Sequence, residues 1–318
     1  MSDLSRRQLA LRTAAMLLGG AGPKFAAPKP QQQTRASKTR LILLGTVGGP
    51  RPRKTRFPSS QVVLVNEAAY VFDCGVGVSV QLVRADVPLA SLRSVFITHH
   101  HSDHNAEYGP LLLTAWGAGL RTIVDTYGPP PLARMTEQFL ELNEYDIRTR
   151  TADEGRVPLR PLITPHELKK GGTVMRENGV VVTCALVDHP PVSPAFAYRL
   201  DSPDRSIVIS GDTKRSDNLI RLARGADVLV HEVVWPGAVR RMLSRAYNAV
   251  PLEKSILSHH TTAEDVGSVA AQAEVKTLVL SHFVPADDPE LTDDKWTDAV
   301  RRGGYKGRVV VGKDLMEI

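Results

Sequence analysis

Short apolar runs alternate with polar or glycine- and proline-rich segments along residues 41–318. Runs of this kind, rich in β-branched residues, are typical of strands. The predicted strands cover 41–44, 61–65, 69–72, 92–97, 179–185, 195–200, 206–209, 228–230, 277–280 and 308–311. Between some of them, longer amphipathic stretches predict helices at 76–86, 106–118, 130–144, 216–224, 262–273 and 293–302.

The order of these elements predicts an α/β fold with packed sheets and helices outside. Early strands follow one another as in a hairpin, whereas later strands alternate with helices. A length of 318 residues suggests two domains by size alone. No low-complexity linker divides residues 40–318, however, so we expect one domain there.

The charge of the chain is unevenly distributed. Residues 1–40 hold eight of the 40 basic residues and one acidic residue, which leaves a net charge of −1 for 41–318. Because residues 41–318 have no net positive charge, they differ from a typical nucleic-acid-binding domain. A local basic cluster remains at Arg51, Arg53, Lys54 and Arg56.

The N-terminus resembles an export signal. Arg6 and Arg7 precede a short apolar run at 14–21, and residues 28–37 are polar and contain proline. Paired arginines are typical of twin-arginine export. We therefore expect residues 1–39 to be a leader and disordered tether, and the protein to be periplasmic or extracellular. The run is too short to span a bilayer, so no stable membrane insertion is expected.

The strongest chemical signal lies where an apolar strand runs into His-x-His-x-Asp-His. Strand geometry places His99 and His101 on one face, and the following turn brings Asp103 and His104 to a neighbouring position. Imidazoles and carboxylates are ligands of zinc, iron and manganese. Four such residues among six predict a metal site.

Three more candidates each follow an apolar strand: His189, Asp212 and His282. Polar residues at strand ends gather where loops form sites. Each one alone is equally well explained as a turn residue, but together with the first motif they indicate more ligands of the same centre.

These motifs resemble the metallo-β-lactamase superfamily, in particular its ribonuclease Z and arylsulfatase-like branch. The resemblance implies a four-layer αββα sandwich with metals at one edge of the sheets. It implies one metal on His99, His101 and His189, a second on Asp103, His104 and His282, and Asp212 bridging the two. Asp73, in the Asp-x-Gly after the strand at 69–72, is expected to orient the site.

The same branch carries an acid pair, which Glu232 and His260 match. The resemblance implies that Glu232 orients His260, which protonates the leaving group. The independent interpretation is that Thr261 or Thr262 simply caps a helix. His100, His166 and His259 are interpreted as structural or exposed. Trp116, Trp235, Phe283 and Tyr108 leave two alternatives open, a pocket wall or core packing.

The expected cofactors are two divalent ions, with zinc preferred over iron or manganese. Such a pair of ions predicts hydrolysis through a bridging hydroxide, which Asp103 also orients. We expect a small-molecule substrate, either an aryl sulfate or a phosphodiester. The alternatives are a β-lactam or lactone hydrolase, a non-enzymatic carrier, and a ribonuclease Z-type tRNA 3′ endonuclease.

The nuclease is disfavoured, because only 23 positions separate His189 from Asp212, too few for that family's tRNA-binding arm, and because the body is not basic. No nucleic-acid partner is expected, and a homodimer is left open. The pairing of Cys74 with Cys184 is also left open.

Overall fold

The computed structural model describes residues 39–318, which form two β-sheets flanked by helices. The predicted leader lies outside the described residues, apart from Thr39, whose backbone N–H and hydroxyl donate to the Asp204 carboxylate. No helix among the described residues has the length and apolarity needed to cross a bilayer.

The first sheet has six strands in sequential order. They are β1 (Arg40–Gly45), β2 (Ser60–Val65), β3 (Ala68–Phe72), β4 (Leu92–Phe96), β5 (Val124–Gly128) and β6 (Ile163–Glu167). Strands β1 to β3 are antiparallel, and β3 to β6 are parallel.

The second sheet has seven strands, also in sequential order. They are β7 (Gly172–Glu177), β8 (Val180–His189), β9 (Val192–Asp201), β10 (Ser206–Ile209), β11 (Val228–Val234), β12 (Thr277–Val284) and β13 (Arg308–Val311). Strands β7 to β10 are antiparallel, and β10 to β13 are parallel. The carboxyl ends of β8, β10, β11 and β12 therefore meet at one edge.

Ten α-helices are found in the described residues. They are α1 (Val78–Arg84), α2 (Ser102–Asn105), α3 (Tyr108–Gly117), α4 (Leu132–Leu142), α5 (Glu144–Asp153), α6 (Asp217–Ala223), α7 (Pro236–Leu243), α8 (Ala249–His259), α9 (Ala263–Gln272) and α10 (Asp293–Arg302).

Alternate residues of one strand enter different cores, which shows the layering directly. Leu41 and Leu43 of β1 pack between the sheets with Phe72, whereas Ile42 and Leu44 pack beneath the helices of the first sheet. A separate core lies between the second sheet and its helices. Because the inner strands are buried on both faces, their sequences read as continuous apolar runs. The predicted αββα sandwich is confirmed.

The secondary-structure predictions missed the strands β5, β6 and β7 and the helices α2, α5, α7 and α8. The helix predicted over 130–144 ends at Leu142. Cys74 and Cys184, whose pairing was left open, are both buried free thiols.

Candidate metal centre

The predicted ligands lie at the carboxyl ends of strands from both sheets. His99 and His101 follow β4, His189 ends β8, Asp212 follows β10, and His282 lies near the end of β12. Parallel strand ends meet at the same edge, so the fold itself brings these side chains together. All of the predicted ligands are buried except His101, which is partly exposed.

The first cluster consists of three imidazoles and one carboxylate. Nδ1 of His101 lies 3.1 Å from Nε2 of His99 and 3.2 Å from Nε2 of His189. Oδ2 of Asp212 lies 3.9 Å from Nε2 of His99 and 3.9 Å from Nε2 of His189. Donors on a tetrahedral zinc ion with bonds of ~2.0–2.2 Å lie roughly 3.3–3.6 Å apart, so these spacings fit one ion.

A second cluster shares Asp212 with the first. Nε2 of His282 is 3.2 Å from Asp212 Oδ2 and 3.3 Å from Asp103 Oδ2. Nε2 of His104 is 3.3 Å from Asp212 Oδ1. The donor set has two imidazoles and two carboxylates at spacings that fit a second ion. The two clusters together fit a dinuclear metal site.

The electrostatics of the clusters also fit cations. Burial lowers the pKa of His189 to about 3, which keeps its imidazole in the neutral form that binds metal. Burial opposes ionisation of Asp212, but the imidazoles of His104 and His282 hold its pKa well below the usual value. Nε2 of His104 and Oδ1 of Asp212 are buried and lack good hydrogen-bond geometry to any described group. A divalent ion would satisfy both atoms.

Asp73 lies beneath the clusters, as the resemblance implied. Its carboxylate accepts hydrogen bonds from the Thr98 backbone N–H at 2.8 Å and from the Thr98 hydroxyl at 2.9 Å. It also lies 2.7 Å from Nδ1 of His104, and the Thr98 hydroxyl lies 3.0 Å from Nδ1 of His99. With their Nδ1 atoms so engaged, His99 and His104 turn Nε2 towards the clusters.

Backbone geometry beside the clusters is unusual in two places. Asp73 has φ 60° and His282 has φ 45°, both in the left-handed region that non-glycine residues rarely adopt. Gly211 has φ 59°, and a Cβ there would lie 2.7 Å from the Phe196 carbonyl oxygen. Such strain concentrates at functional sites and persists where the surrounding packing holds it.

Glu232 and His260 lie together beside the clusters. Oε1 of Glu232 is 3.3 Å from Nδ1 of His260 and accepts hydrogen bonds from the backbone N–H groups of Thr213 and Thr261. Burial opposes the charge on His260, but Glu232 and Asp212 raise its pKa to about 9. A pKa raised in this way is what a proton donor requires. Thr262 caps α9, so the helix-cap interpretation holds as well.

The structure shows contributions that the sequence did not reveal. The His259 backbone carbonyl lies 3.1 Å from Nδ1 of His189, and the Gly49 backbone N–H donates to Asp103 at 2.7 Å. His259 therefore helps to orient a predicted ligand through its backbone. Backbone contacts of this kind leave no mark on residue identity, and only the tertiary fold reveals them.

The other histidines are used elsewhere. Nε2 of His100 lies 2.7 Å from the Pro129 carbonyl oxygen, and His166 pairs with Asp125. The four aromatic residues for which a pocket wall or core packing was left open all take part in packing. Tyr108, Trp116 and Phe283 are buried in the cores, and Trp235 packs against Trp296.

The αββα fold and the paired clusters define a metal-dependent hydrolase. A family model described as "Beta-lactamase superfamily domain" matches residues 69–283. The ribonuclease Z of Mycobacterium bovis is 34% identical over 281 residues, which cover 87% of this chain and 97% of that protein. The chain belongs to the metallo-β-lactamase superfamily.

Solved structures show the same fold. The short form of human tRNase Z has a TM-score of 0.63 at 22% identity, covering 88% of this chain and 98% of that one. The metallo-β-lactamase fold protein YhfI from Bacillus subtilis has a TM-score of 0.64 at 18% identity, with the same coverage. Both likenesses concern the architecture.

The expectation that nucleic acid is excluded as a partner was wrong. The relative at 34% identity is named ribonuclease Z, and the alignment covers nearly all of it. Two proteins that align over almost their whole lengths leave no room for a long additional arm in either, so the missing arm does not separate this chain from that relative. The argument from net charge failed because a sum over the body says nothing about charge at the mouth of the site.

Proposed function

We propose that this protein is a dinuclear metal-dependent phosphodiesterase that cleaves RNA, in the manner of ribonuclease Z. The observation that carries the proposal is the Glu232–His260 pair beside two clusters of metal-binding side chains. A carrier that only binds its ligand has no need of a proton donor next to the metals. The 34% identity to a ribonuclease Z supports RNA as the substrate, and no relative described above supports aryl sulfates.

The basic segment noted in the sequence supports a polyanionic substrate. Arg51 is exposed and Arg53 is partly exposed, and both line the cavity that opens over the clusters. Arg53 pairs with Asp287, whereas Arg51 has no ion pair within the described residues. A cation at the mouth attracts phosphates whatever the net charge of the body.

In the proposed site, His99, His101 and His189 would hold one ion, Asp103, His104 and His282 would hold the other, and Asp212 would contribute to both. We take the ions to be zinc, because imidazole and carboxylate donors at tetrahedral spacing suit it. When bound, two such ions lower the pKa of water and neutralise the charge of the phosphate.

The protein's own groups supply orientation and the proton. Asp73 and Thr98 fix the rings of His99 and His104, and the Gly49 N–H fixes Asp103. Nδ1 of His260 faces Glu232, which leaves Nε2 to donate a proton to the departing oxygen. Protonating an alkoxide as it leaves removes the least stable product of phosphodiester cleavage.

The test is an assay of the purified full chain on a precursor tRNA with a 3′ extension, on bis-para-nitrophenyl phosphate, on para-nitrophenyl sulfate and on nitrocefin. Metal content is measured on the same samples. His260→Ala is expected to lower RNA cleavage by ~10²–10⁴-fold with two ions retained, since it removes a general acid. His166→Ala, which changes a histidine away from the site, is the matched control.

Metal-dependent RNA cleavage that His260→Ala cripples would support the proposal. Hydrolysis of para-nitrophenyl sulfate or nitrocefin, with no hydrolysis of the RNA or of bis-para-nitrophenyl phosphate, would overturn the proposal. Two bound ions with hydrolysis of bis-para-nitrophenyl phosphate but not of RNA would retain the phosphodiesterase and reject the RNA substrate.

A further inference from the structure

A cavity of about 560 Å³ opens directly over the clusters. Its floor includes Asp103, Asp212 and His260, so a phosphate placed at the clusters lies at the bottom of this cavity. Ligand cavities are typically ~300–1,000 Å³, and this one is about the size of a single bound nucleotide. A double helix is far too wide to enter it.

One part of the cavity wall is apolar and comes from α7, α8 and the end of β12. Leu252 and Ile256 are one helical turn apart on α8, so they project from the same face. Both are only partly buried, because this face is turned to the cavity. The wall is formed by Met242, Leu243, Leu252, Ile256, Val284 and Pro285.

The wall offers few hydrogen-bonding groups. Among the described residues that line the cavity on α7 and α8, the polar side chains are those of Ser255 and His259. Reading the edge of a base requires donors and acceptors at fixed places. An aliphatic wall instead holds the flat face of any base by burying it from water.

We propose that α7 and α8 form a nucleobase subsite for a single-stranded nucleotide next to the scissile phosphate. This inference rests on the proposed function and adds to it. The substrate is single-stranded at the cleavage point, one flanking base is unstacked and inserted against Leu252 and Ile256, and the base is held without regard to its identity.

The experiment compares precursor tRNAs that carry an abasic nucleotide on the 5′ or the 3′ side of the scissile bond with the intact RNA. Loss of the inserted base is expected to lower kcat/KM about five- to thirtyfold on one side, because the face of the base is no longer buried against aliphatic side chains. Replacing that base by any of the other three is expected to change kcat/KM less than about threefold.

The variants Ile256→Ala and Leu252→Ala connect this loss to the wall. Each is expected to lower kcat/KM on intact RNA by about fivefold and to cause little further loss on the abasic RNA, because the partner of the side chain is already gone. Leu257→Ala is the matched control, since Leu257 lies on the same helix and packs in the same small core as Leu252 and Ile256 but does not line the cavity. Metal content and Tm are measured for all three.

Cleavage that is indifferent to an abasic nucleotide on either side would overturn the subsite and leave the proposed function standing. An Ile256→Ala effect of equal size on intact and abasic RNA would also overturn it. Absence of cleavage of any RNA would overturn both proposals.

Discussion

The strand ends that carry the predicted ligands and the helical pair α7–α8 face the same cavity but are built in opposite ways. His99 and His189 are at most 1% exposed and belong to a network that joins two sheets. In α8 only His259 is buried, and nearby Tyr247 and Val250 are 101% and 78% exposed. The rigid region suits chemistry, which tolerates little displacement, and the lightly packed region suits substrate contact.

The largest effect is expected in the buried, ligand-bearing region, at Asp212, which belongs to both clusters. Asp212→Asn is expected to reduce the content of bound metal below two ions and to lower activity by on the order of 10³-fold or more, since the metals account for several kcal/mol of transition-state stabilisation. Metal analysis and kcat/KM check this. Asp217→Asn changes an exposed aspartate nearby and serves as the control. Two ions and normal turnover in Asp212→Asn would refute the bridging role.

Glu232→Gln tests whether the acid pair belongs to the rigid region. The amide oxygen can still accept from the Thr213 and Thr261 N–H groups, but the charge that raises the pKa of His260 is gone. We expect ~10–100-fold lower kcat with both ions retained. Because the pKa of His260 falls, its protonated form is lost at lower pH, so the alkaline limb of the rate profile moves to lower pH. Loss of an ion would instead make Glu232 a ligand.

Thr98→Val removes the hydroxyl between Asp73 and His99 without changing the size of the side chain much. Outer groups that orient metal ligands typically contribute ~10–100-fold to metal affinity. We expect a loss of about tenfold, measured by competition with a chelator. Thr98→Ser keeps the hydroxyl and is expected to bind metal as the wild type does. Equal weakening in both variants would show that Thr98 acts through packing alone.

The sequence predicted which strand ends carry the clustered polar side chains, because that signal is local. An apolar strand followed by a polar side chain specifies both the element and the edge at which it ends, as with β10 and Asp212 or β12 and His282. The order of such strands was then enough for the αββα layering. Thr98 was not predicted to belong to the site, because an isolated threonine at a strand end has no distinctive spacing.

The region α7–α8 was missed although apolar residues recur in it at helical spacing, as at Val239 and Leu243 of α7. Both helices are short, and Pro251 interrupts the pattern near the start of α8. The strands β5 to β7 were missed for a similar reason, since Asp125, His166 and Arg176 interrupt their apolar pattern. The nucleic-acid partner was misjudged because net charge is summed over residues 41–318, whereas Arg51 lies at the mouth of one cavity.

The smallest predicted effect concerns the mouth of that cavity. Arg51→Ala removes one exposed cation at the mouth of the cavity, so each RNA molecule loses one phosphate contact. The slope of log Kd against log salt is then expected to fall by about 0.7–1, with affinity weakened only a few-fold. Arg176→Ala removes an equally exposed arginine from β7 and is expected to leave the slope unchanged. Equal slopes in all three proteins would mean that phosphates are not held at this mouth, and that the apolar wall and the clusters alone provide the binding.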